Sequence, residues 1–191
     1  MQFDSNTTVL YPTDTLYGLG VDATDAKAVS RLKKLKGRGD EKHISIAVSD
    51  EEMMSRYAVI TSLAQKLIKA FLPGKLTIIL EPKNLPVELG TASGEIGVRI
   101  PAQKLALELI QELGKPLTAT SANVSGMPTE STPEKILKQF GDKSSWITRV
   151  IDAGELPPSE PSTVVDARGD EPIIIREGAI AASEILKYLE E

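Results

Sequence analysis

The sequence contains no cysteine and only one histidine, His43, in 191 residues. The lack of cysteine excludes disulfides, thiolate nucleophiles, cysteine-ligated zinc and iron–sulfur clusters. A single histidine excludes a histidine-rich metal site, and any Ser-His-Asp triad would depend on His43. Aromatic residues make up only 4% of the chain, so we expect an aliphatic core. We therefore predict no metal site built from protein ligands, and a chemistry that rests on cations, hydroxyls and amides.

Long apolar runs are also missing from the sequence. No run approaches the roughly 18 residues that a bilayer-spanning helix needs, and the first residues lack the pattern of a signal peptide. We expect a soluble, cytoplasmic protein with no membrane partner. The net charge of −5 argues against a protein that binds nucleic acid over its whole surface.

The charge is unevenly distributed along the chain. Residues 31–42, which we call the basic island, hold six Lys or Arg residues against two acids. Residues 151–191 hold ten acids against three basic residues. A local excess of positive charge in an acidic chain indicates a site for a small anion, such as a phosphate group.

Turn signals fall at short intervals between apolar stretches, which is typical of one compact domain, and we assign residues 1–191 to it. Helical spacing of apolar residues predicts helices over residues 25–36 and 104–113, and Thr61 and Thr132-Pro133 are typical of further helix starts. About eight β-branched stretches predict strands. Early strands alternate with helices and later strands cluster, so we expect an α/β (α+β) fold with a twisted, mixed β-sheet flanked by helices.

The first polar motif, YPTDTLYGLG at residues 11–20, follows a predicted strand. Its hydroxyls, carboxylate and glycines suit a small polar ligand, but composition alone favours a turn that caps its own backbone. The pattern G-x-G-x-x-A at residues 18–23 matches a dinucleotide-binding fingerprint only weakly, because its glycines do not follow directly on the strand. No P-loop is present.

Several cations and hydrogen-bonding groups are candidates for anion binding. Lys36 and Arg38 flank a glycine at the end of a predicted helix, where they would serve either the helix dipole or a phosphate. Ser121 and Asn123 would point to the same side if the extended chain continued through them, although they also suit a turn. Two arginines, Arg99 and Arg176, lie in apolar strands and need an anionic partner or an edge position. His43 reads as a loop residue.

Seven segments occur in an order that resembles the YrdC-like family: YPTDTLYGLG, KGR, PGKLT, GVRIPA, TATSANVSG, PSTVVD and IIIREGA. The resemblance covers residues 9–179, and the family includes the L-threonylcarbamoyladenylate synthases. It implies a twisted α/β domain with a basic concave cavity. The implied reaction converts L-threonine, bicarbonate or CO2, and ATP with Mg2+ into threonylcarbamoyl-AMP and pyrophosphate. A separate transferase complex would then use the product to form N6-threonylcarbamoyladenosine at position 37 of tRNA. The alternative is a non-catalytic module that binds tRNA or double-stranded RNA.

The resemblance also implies roles for individual residues. Its ATP-binding positions are Lys36, Arg38, Ser121, Asn123 and Arg176, and its threonine-binding positions are Thr13, Arg99 and Ser162. Lys36 and Arg38 would act catalytically by offsetting charge on the phosphates. No side chain is an evident general base, and Asp14 is the nearest candidate. The sequence departs from the family pattern at three positions, where it has Gly39, Lys75 and Gln103.

Overall fold

The computed structural model describes residues 3–39 and 42–190. Within this part of the chain, helices and strands alternate in the first two thirds, and short strands dominate afterwards. The strands are β1 (Val9–Pro12), β2 (Tyr17–Gly20), β3 (Ser45–Ala47), β4 (Ala58–Val59), β5 (Leu76–Pro82), β6 (Ile96–Arg99), β7 (Leu117–Ser121), β8 (Arg149–Val150), β9 (Thr163–Asp166) and β10 (Ile173–Arg176). The helices are α1 (Ala26–Lys36), α2 (Glu51–Tyr57), α3 (Ser62–Phe71), α4 (Lys104–Leu113), α5 (Pro133–Phe140) and α6 (Ala182–Glu190).

The ten described strands form one sheet, ordered β10-β9-β5-β6-β3-β7-β2-β1-β8, with β4 paired to β5. The pairs β1–β8, β3–β6 and β5–β9 are parallel, and the other pairs are antiparallel. This mixed sheet with flanking helices confirms the predicted fold class. The strand order also brings the start of β5 and the last residues of β6 and β7 close to the turn between β1 and β2, although these segments are far apart in sequence.

The core is aliphatic, as the low aromatic content predicts. Buried Val, Leu and Ile side chains dominate it, and the aromatic exceptions are Tyr11, Tyr17 and Phe140. Both tyrosines satisfy their hydroxyls, since buried polar groups need partners. Tyr11 donates to the Thr118 carbonyl at 3.0 Å, and Tyr17 donates to the Gly154 carbonyl at 2.8 Å.

Local signals fixed most helix boundaries. Thr61 and Thr132 accept hydrogen bonds from the backbone amides of Ala64 and Lys135, at 3.0 and 3.4 Å, and so cap α3 and α5 as predicted. Gly114 ends α4 in the left-handed conformation at φ 69°. The helix α2 and the strands β2 and β4 were not predicted.

The strand β2 contains both glycines of the YPTDTLYGLG motif, whose G-x-G-x-x-A pattern weakly matches a dinucleotide-binding fingerprint. It pairs antiparallel with β1, with Tyr11 opposite Gly18. A Cβ at Gly18 would lie 3.1 Å from the Tyr11 ring, and one at Gly20 would lie 2.6 Å from the Leu117 side chain. The two glycines therefore allow close packing inside the sheet, so they do not form the phosphate-binding turn of a dinucleotide fold.

Candidate functional site

A cavity of about 440 Å3 opens at the place where these segments meet. Six of the eight residues that the sequence singled out for ligand binding line it: Thr13, Arg38, Arg99, Ser121, Ser162 and Arg176. They come from the β1–β2 hairpin, the loop after α1, and the strands or strand ends of β6, β7, β9 and β10. The lining also includes hydroxyl-bearing residues to which the sequence analysis assigned no individual role, among them Thr15, Ser45, Thr77, Thr120 and Ser159.

The cavity has a buried part and a more exposed part. We call Arg99, Thr77 and Ser162 the cavity floor, because each is less than a tenth exposed. We call Arg38, Ser121 and Arg176 the cavity rim, because each is only partly buried or exposed. Among the described lining residues there are three arginines and no acidic side chain. The basic character that the resemblance implied stays a prediction, since Arg99 is already paired within the protein.

Arg99 is held by Asp14, which lies in the turn between β1 and β2. Its Nη2 donates to Asp14 Oδ1 at 2.5 Å and to the Gly74 carbonyl at 3.3 Å. The need for a partner, inferred from the apolar strand around Arg99, is therefore met by a buried carboxylate from another segment. Asp14 is not among the residues that line the cavity, which leaves its role as a general base without structural support.

The hydroxyl of Thr13 organises the same turn. It donates to the Leu16 carbonyl at 2.7 Å and accepts from the backbone amides of Thr15 and Leu16, each at 3.2 Å. Both alternatives for this motif therefore apply in part. Thr13 lines the cavity, and its side chain also caps its own turn.

Ser162 is fixed at both its backbone and its side chain. The Thr77 and Ser162 hydroxyls lie 2.9 Å apart, and Arg176 Nη2 donates to the Ser162 carbonyl at 2.7 Å. Thr77 faces Val164 across the parallel β5–β9 pair, which places its hydroxyl beside residue 162. Sequence reasoning missed Thr77. The available signal was its place in the PGKLT segment, but its partner lies 85 residues away.

The two cations of the K-x-R motif have different surroundings. Arg38 lines the cavity, and its Nη2 donates to the His43 carbonyl at 2.6 Å. Lys36 is 1% exposed, and its Nζ donates to the carbonyls of Ser121 and Asn123. Burial, reinforced by the positive charge of Arg38, lowers the pKa of Lys36 to about 7. Lys36 therefore holds the turn after β7 through its hydrogen bonds and is not among the residues that line the cavity.

Ser121 and Asn123 meet through a turn. The strand β7 ends at Ser121, whose hydroxyl donates to Asn123 Oδ1 at 2.5 Å. The Asn123 amide donates to the carbonyls of Val124 and Met127, at 3.1 and 2.6 Å. The extended conformation that would have aligned the two side chains does not continue, so the alternative turn reading holds. Ser121 reaches the cavity, and Asn123 orients it.

Three of the six cations of the basic island, Arg31, Lys33 and Lys36, pack within the fold. Arg31 stacks on Trp146 at 5.0 Å and donates to the Thr8 hydroxyl at 2.8 Å, and Lys33 is 3% exposed. Of the island's cations in the described residues, only Arg38 lines the cavity. Phosphate binding by the island therefore stays a prediction, which rests on Arg38. Asp40 and Glu41, which belong to it, lie outside the described residues.

His43 is more than a loop residue. Its Nδ1 lies 2.7 Å from Glu95 Oε1, and its side chain lines the cavity beside Arg38. Glu95 also lies 3.3 Å from Arg168 Nη2. These contacts tie the K-x-R loop to the segment before β6, so they help to fix Arg38 at the rim.

The described residues contain neither a cluster of metal ligands nor a membrane-spanning helix. No group of three or more His, Cys, Asp or Glu side chains is arranged to hold a metal ion. No helix there is long and apolar enough to cross a membrane.

Comparison with known proteins shows the family of this chain. The Sua5/YciO/YrdC family model, described as "Telomere recombination", matches residues 2–178. This chain belongs to the Sua5/YciO/YrdC family. Its sequence is 39% identical to a protein of Methanocaldococcus jannaschii, over 94% of this chain and 83% of that protein. It is 36% identical to a protein of Pyrococcus abyssi named threonylcarbamoyl-AMP synthase, over 96% of this chain and 54% of that protein.

Solved structures of the family share the fold. P. abyssi Sua5 complexed with L-threonine matches with a TM-score of 0.89 and 34% identity, over 96% of this chain. Escherichia coli YciO matches with a TM-score of 0.82 and 30% identity, over 94% of this chain and 86% of YciO. The chain spans about half the length of the P. abyssi protein, at 54%. The relationship therefore concerns the part of Sua5 that this chain matches.

Proposed function

We propose that this chain is a threonylcarbamoyl-AMP synthase, which converts L-threonine, bicarbonate or CO2, and ATP into threonylcarbamoyl-AMP and pyrophosphate. The observation that carries the proposal is the meeting of six motif residues from separate segments in one cavity. Relatives named threonylcarbamoyl-AMP synthase and a relative solved with L-threonine support it. Their names do not favour the alternative of a non-catalytic RNA-binding module.

The floor suits the amino acid. Arg99 presents a guanidinium that two protein oxygens already orient, and both described contacts use Nη2, which leaves Nη1 for the threonine carboxylate. Ser162 and the backbone around Thr13 add neutral hydrogen-bonding groups, which suit an amine and a hydroxyl. A small, buried set of fixed donors favours one small ligand held in one orientation.

The rim suits the nucleotide. Arg38 and Arg176 provide forked, permanent cations for phosphate oxygens, and Ser121 adds a hydroxyl donor. Asn123 and Lys36 hold Ser121 and its backbone in place. The catalytic role of Lys36 stays a prediction, because its amine contacts carbonyl groups of the protein. We propose that Mg2+ enters as part of the substrate, bound to the phosphates of ATP.

The reaction needs little acid or base chemistry from side chains. The threonine amine adds to CO2, loses a proton and becomes an N-carboxylate. One oxygen of that group attacks the α-phosphorus of ATP, the bond to the bridging oxygen breaks, and pyrophosphate leaves. Positioning of the substrates and neutralisation of phosphate charge dominate the catalysis of such nucleotidyl transfers. A cavity with three arginines, no cysteine and one histidine matches that requirement.

The proposed product fits a role in tRNA modification. Threonylcarbamoyl-AMP is an activated acyl donor, and a separate transferase complex would attach its threonylcarbamoyl group to adenosine 37 of tRNA. Direct contact with tRNA or double-stranded RNA stays a proposal. We also propose a cytoplasmic location, which is compatible with the use of ATP and a role in tRNA modification. We also propose that residues 1–191 act as one domain.

The test is a pyrophosphate-release assay with MgATP, bicarbonate and purified protein, with the acylated nucleotide identified by mass spectrometry. We expect release that requires both L-threonine and bicarbonate. Equal release without threonine, or none with all substrates present, contradicts the proposal. RNA binding that weakens steeply with salt, without ATP turnover, would support the alternative.

A further inference from the structure

We propose that Asp14 is a positioning residue for the amino-acid substrate: it holds the Arg99 guanidinium in the orientation that receives the substrate carboxylate. The inference rests on the proposed function for the identity of that ligand. It assigns to the aspartate of the PTDT segment a task that the sequence left open. Asp14 acts on the ligand only through Arg99.

The first observation is the depth of the ion pair. Asp14 and Arg99 have side-chain exposures of 10% and 8%, and Asp14 Oδ1 lies 2.5 Å from Arg99 Nη2. A buried guanidinium without a counter-charge is costly, so an arginine on an interior strand such as β6 needs a resident partner whenever no ligand is bound. Asp14 supplies that charge, which leaves Arg99 in place in the empty cavity.

The second observation is the division of labour within the pair. Arg99 lines the cavity, whereas Asp14 does not. Asp14 Oδ2 and Arg99 Nε are both buried without a hydrogen-bond partner in the described residues. Asp14 Oδ2 is therefore shielded from the cavity, and the other carboxylate oxygen contacts the guanidinium. A side chain placed in this way orients its neighbour and does not touch the substrate.

The third observation is the rigidity of the turn that carries Asp14. The Thr13 hydroxyl joins three backbone groups of residues 15 and 16, and the Thr13 amide donates to the Leu16 carbonyl at 3.1 Å. The carboxylate is therefore presented from a fixed backbone. A rigid support of this kind keeps a binding group within the narrow range of productive geometries.

The chain offers a matched control in Asp22. This carboxylate is 9% exposed and lies 2.8 Å from Lys115 Nζ, but it does not line the cavity. The variants Asp14→Asn and Asp22→Asn each keep the size of the side chain and remove one buried, paired negative charge. Any effect that belongs only to the loss of such a pair should appear in both.

The first measurement is steady-state kinetics of the full chain. Asp14→Asn should raise the KM for L-threonine roughly 10-fold or more, the usual size of coupling between groups in direct contact. The KM for MgATP should stay within about twofold, and Asp22→Asn should change neither value by more than that. Equal increases for threonine and ATP in Asp14→Asn, or no increase for threonine, would overturn the proposal.

The second measurement needs no ligand and separates this proposal from the proposed function. In protein labelled with 15N-arginine, the Arg99 side-chain signal, assigned by its loss in Arg99→Lys, should report restricted rotation of the guanidinium. The restriction should disappear in Asp14→Asn and persist in Asp22→Asn. A persistent restriction in Asp14→Asn refutes the positioning role. A wild-type protein that shows the restriction but does not use threonine would refute the proposed function alone.

A charge-preserving variant covers the case in which Asp14→Asn does not fold. Asp14→Glu keeps the carboxylate and lengthens the side chain by one methylene, which displaces the guanidinium. The same two measurements apply to it, and we expect a smaller increase in the KM for threonine together with a restricted but shifted Arg99 signal. An unchanged signal and an unchanged KM for threonine would contradict the proposal.

Discussion

The cavity floor and the cavity rim solve the same problem, anion binding, in different ways. At the floor, each polar group is buried and has a protein partner: Arg99 has Asp14, and Ser162 has Thr77. At the rim, Arg38 donates to the His43 carbonyl and Arg176 to the Ser162 carbonyl. The floor is therefore buried and holds an internal ion pair, whereas the rim places two arginines where the cavity is more exposed. A buried, fixed pocket suits a small zwitterion, and arginines at an open edge suit a polyphosphate.

The largest expected effect comes from breaking the floor. Arg99→Ala leaves the Asp14 carboxylate buried and unpaired, so we expect the free energy of unfolding to fall by about 3–5 kcal/mol. Arg176→Ala at the rim, on the edge strand β10, should lower it by about 1 kcal/mol or less. Urea denaturation of both variants at one pH measures the difference. Equal stabilities would show that the floor and the rim do not differ in this way.

Arg38→Ala should separate activity from stability. Removing a cation that contacts the phosphates typically costs about 2–4 kcal/mol of transition-state stabilisation, or roughly a 30- to 1000-fold loss of kcat/KM. The melting temperature should change little, because the side chain is only partly buried. Lys34→Ala, an exposed cation of the same basic island, is the control and should keep full activity. Full activity in Arg38→Ala would remove Arg38 from the nucleotide site.

The lowered pKa of Lys36, which belongs to neither the cavity floor nor the cavity rim, predicts that the stability of the protein depends on pH. Its pKa of about 7 lies below the ordinary value of 10.5, so between those values the unfolded chain binds a proton that the folded protein does not. Stability from this group therefore rises with pH above about 7, approaching ~1.4 kcal/mol per pH unit, and is flat below it.

The comparison of wild type with Lys36→Met isolates that group. The stability advantage of the wild type over this variant should grow between pH 7 and pH 9 in urea denaturation. Lys104→Met, which removes an exposed lysine of α4, should show a constant difference over the same range. A constant difference for Lys36→Met as well would mean that the buried amine keeps its proton.

Local patterns in the sequence were enough for the fold class, whereas the resemblance supplied the six site residues that line the cavity. Helix caps such as Thr61 depend only on neighbouring residues, so the starts of these helices could be predicted from the sequence. The motif residues were placed in one cavity because the resemblance supplied long-range order that periodicity does not contain. The strand β2 escaped prediction because glycine at Gly18 and Gly20 disfavours a strand locally, and the Tyr11 ring that requires those glycines belongs to β1.

The orientation of individual side chains could not be predicted. Lys36 and Arg38 are two residues apart and are both cations. Lys36 nevertheless donates to the turn after β7, whereas Arg38 lines the cavity. Asp14 and Arg99 are 85 residues apart, as are Thr77 and Ser162. Such pairings depend on strand order, and the sequence around a charged or hydroxyl side chain does not identify its distant partner.

The smallest expected effect sharpens the comparison most, because it alters the floor without removing charge. Thr77→Val keeps the shape of the side chain and removes the hydroxyl that orients Ser162. A lost neutral hydrogen bond is worth about 1 kcal/mol, so the KM for L-threonine should rise about fivefold. The KM for MgATP should not change, since Thr77 lies at the floor. Thr77→Ser keeps the hydroxyl and should keep the wild-type KM, whereas a loss in Thr77→Ser without a loss in Thr77→Val would mean that packing by the Thr77 methyl, and not its hydroxyl, supports the pocket.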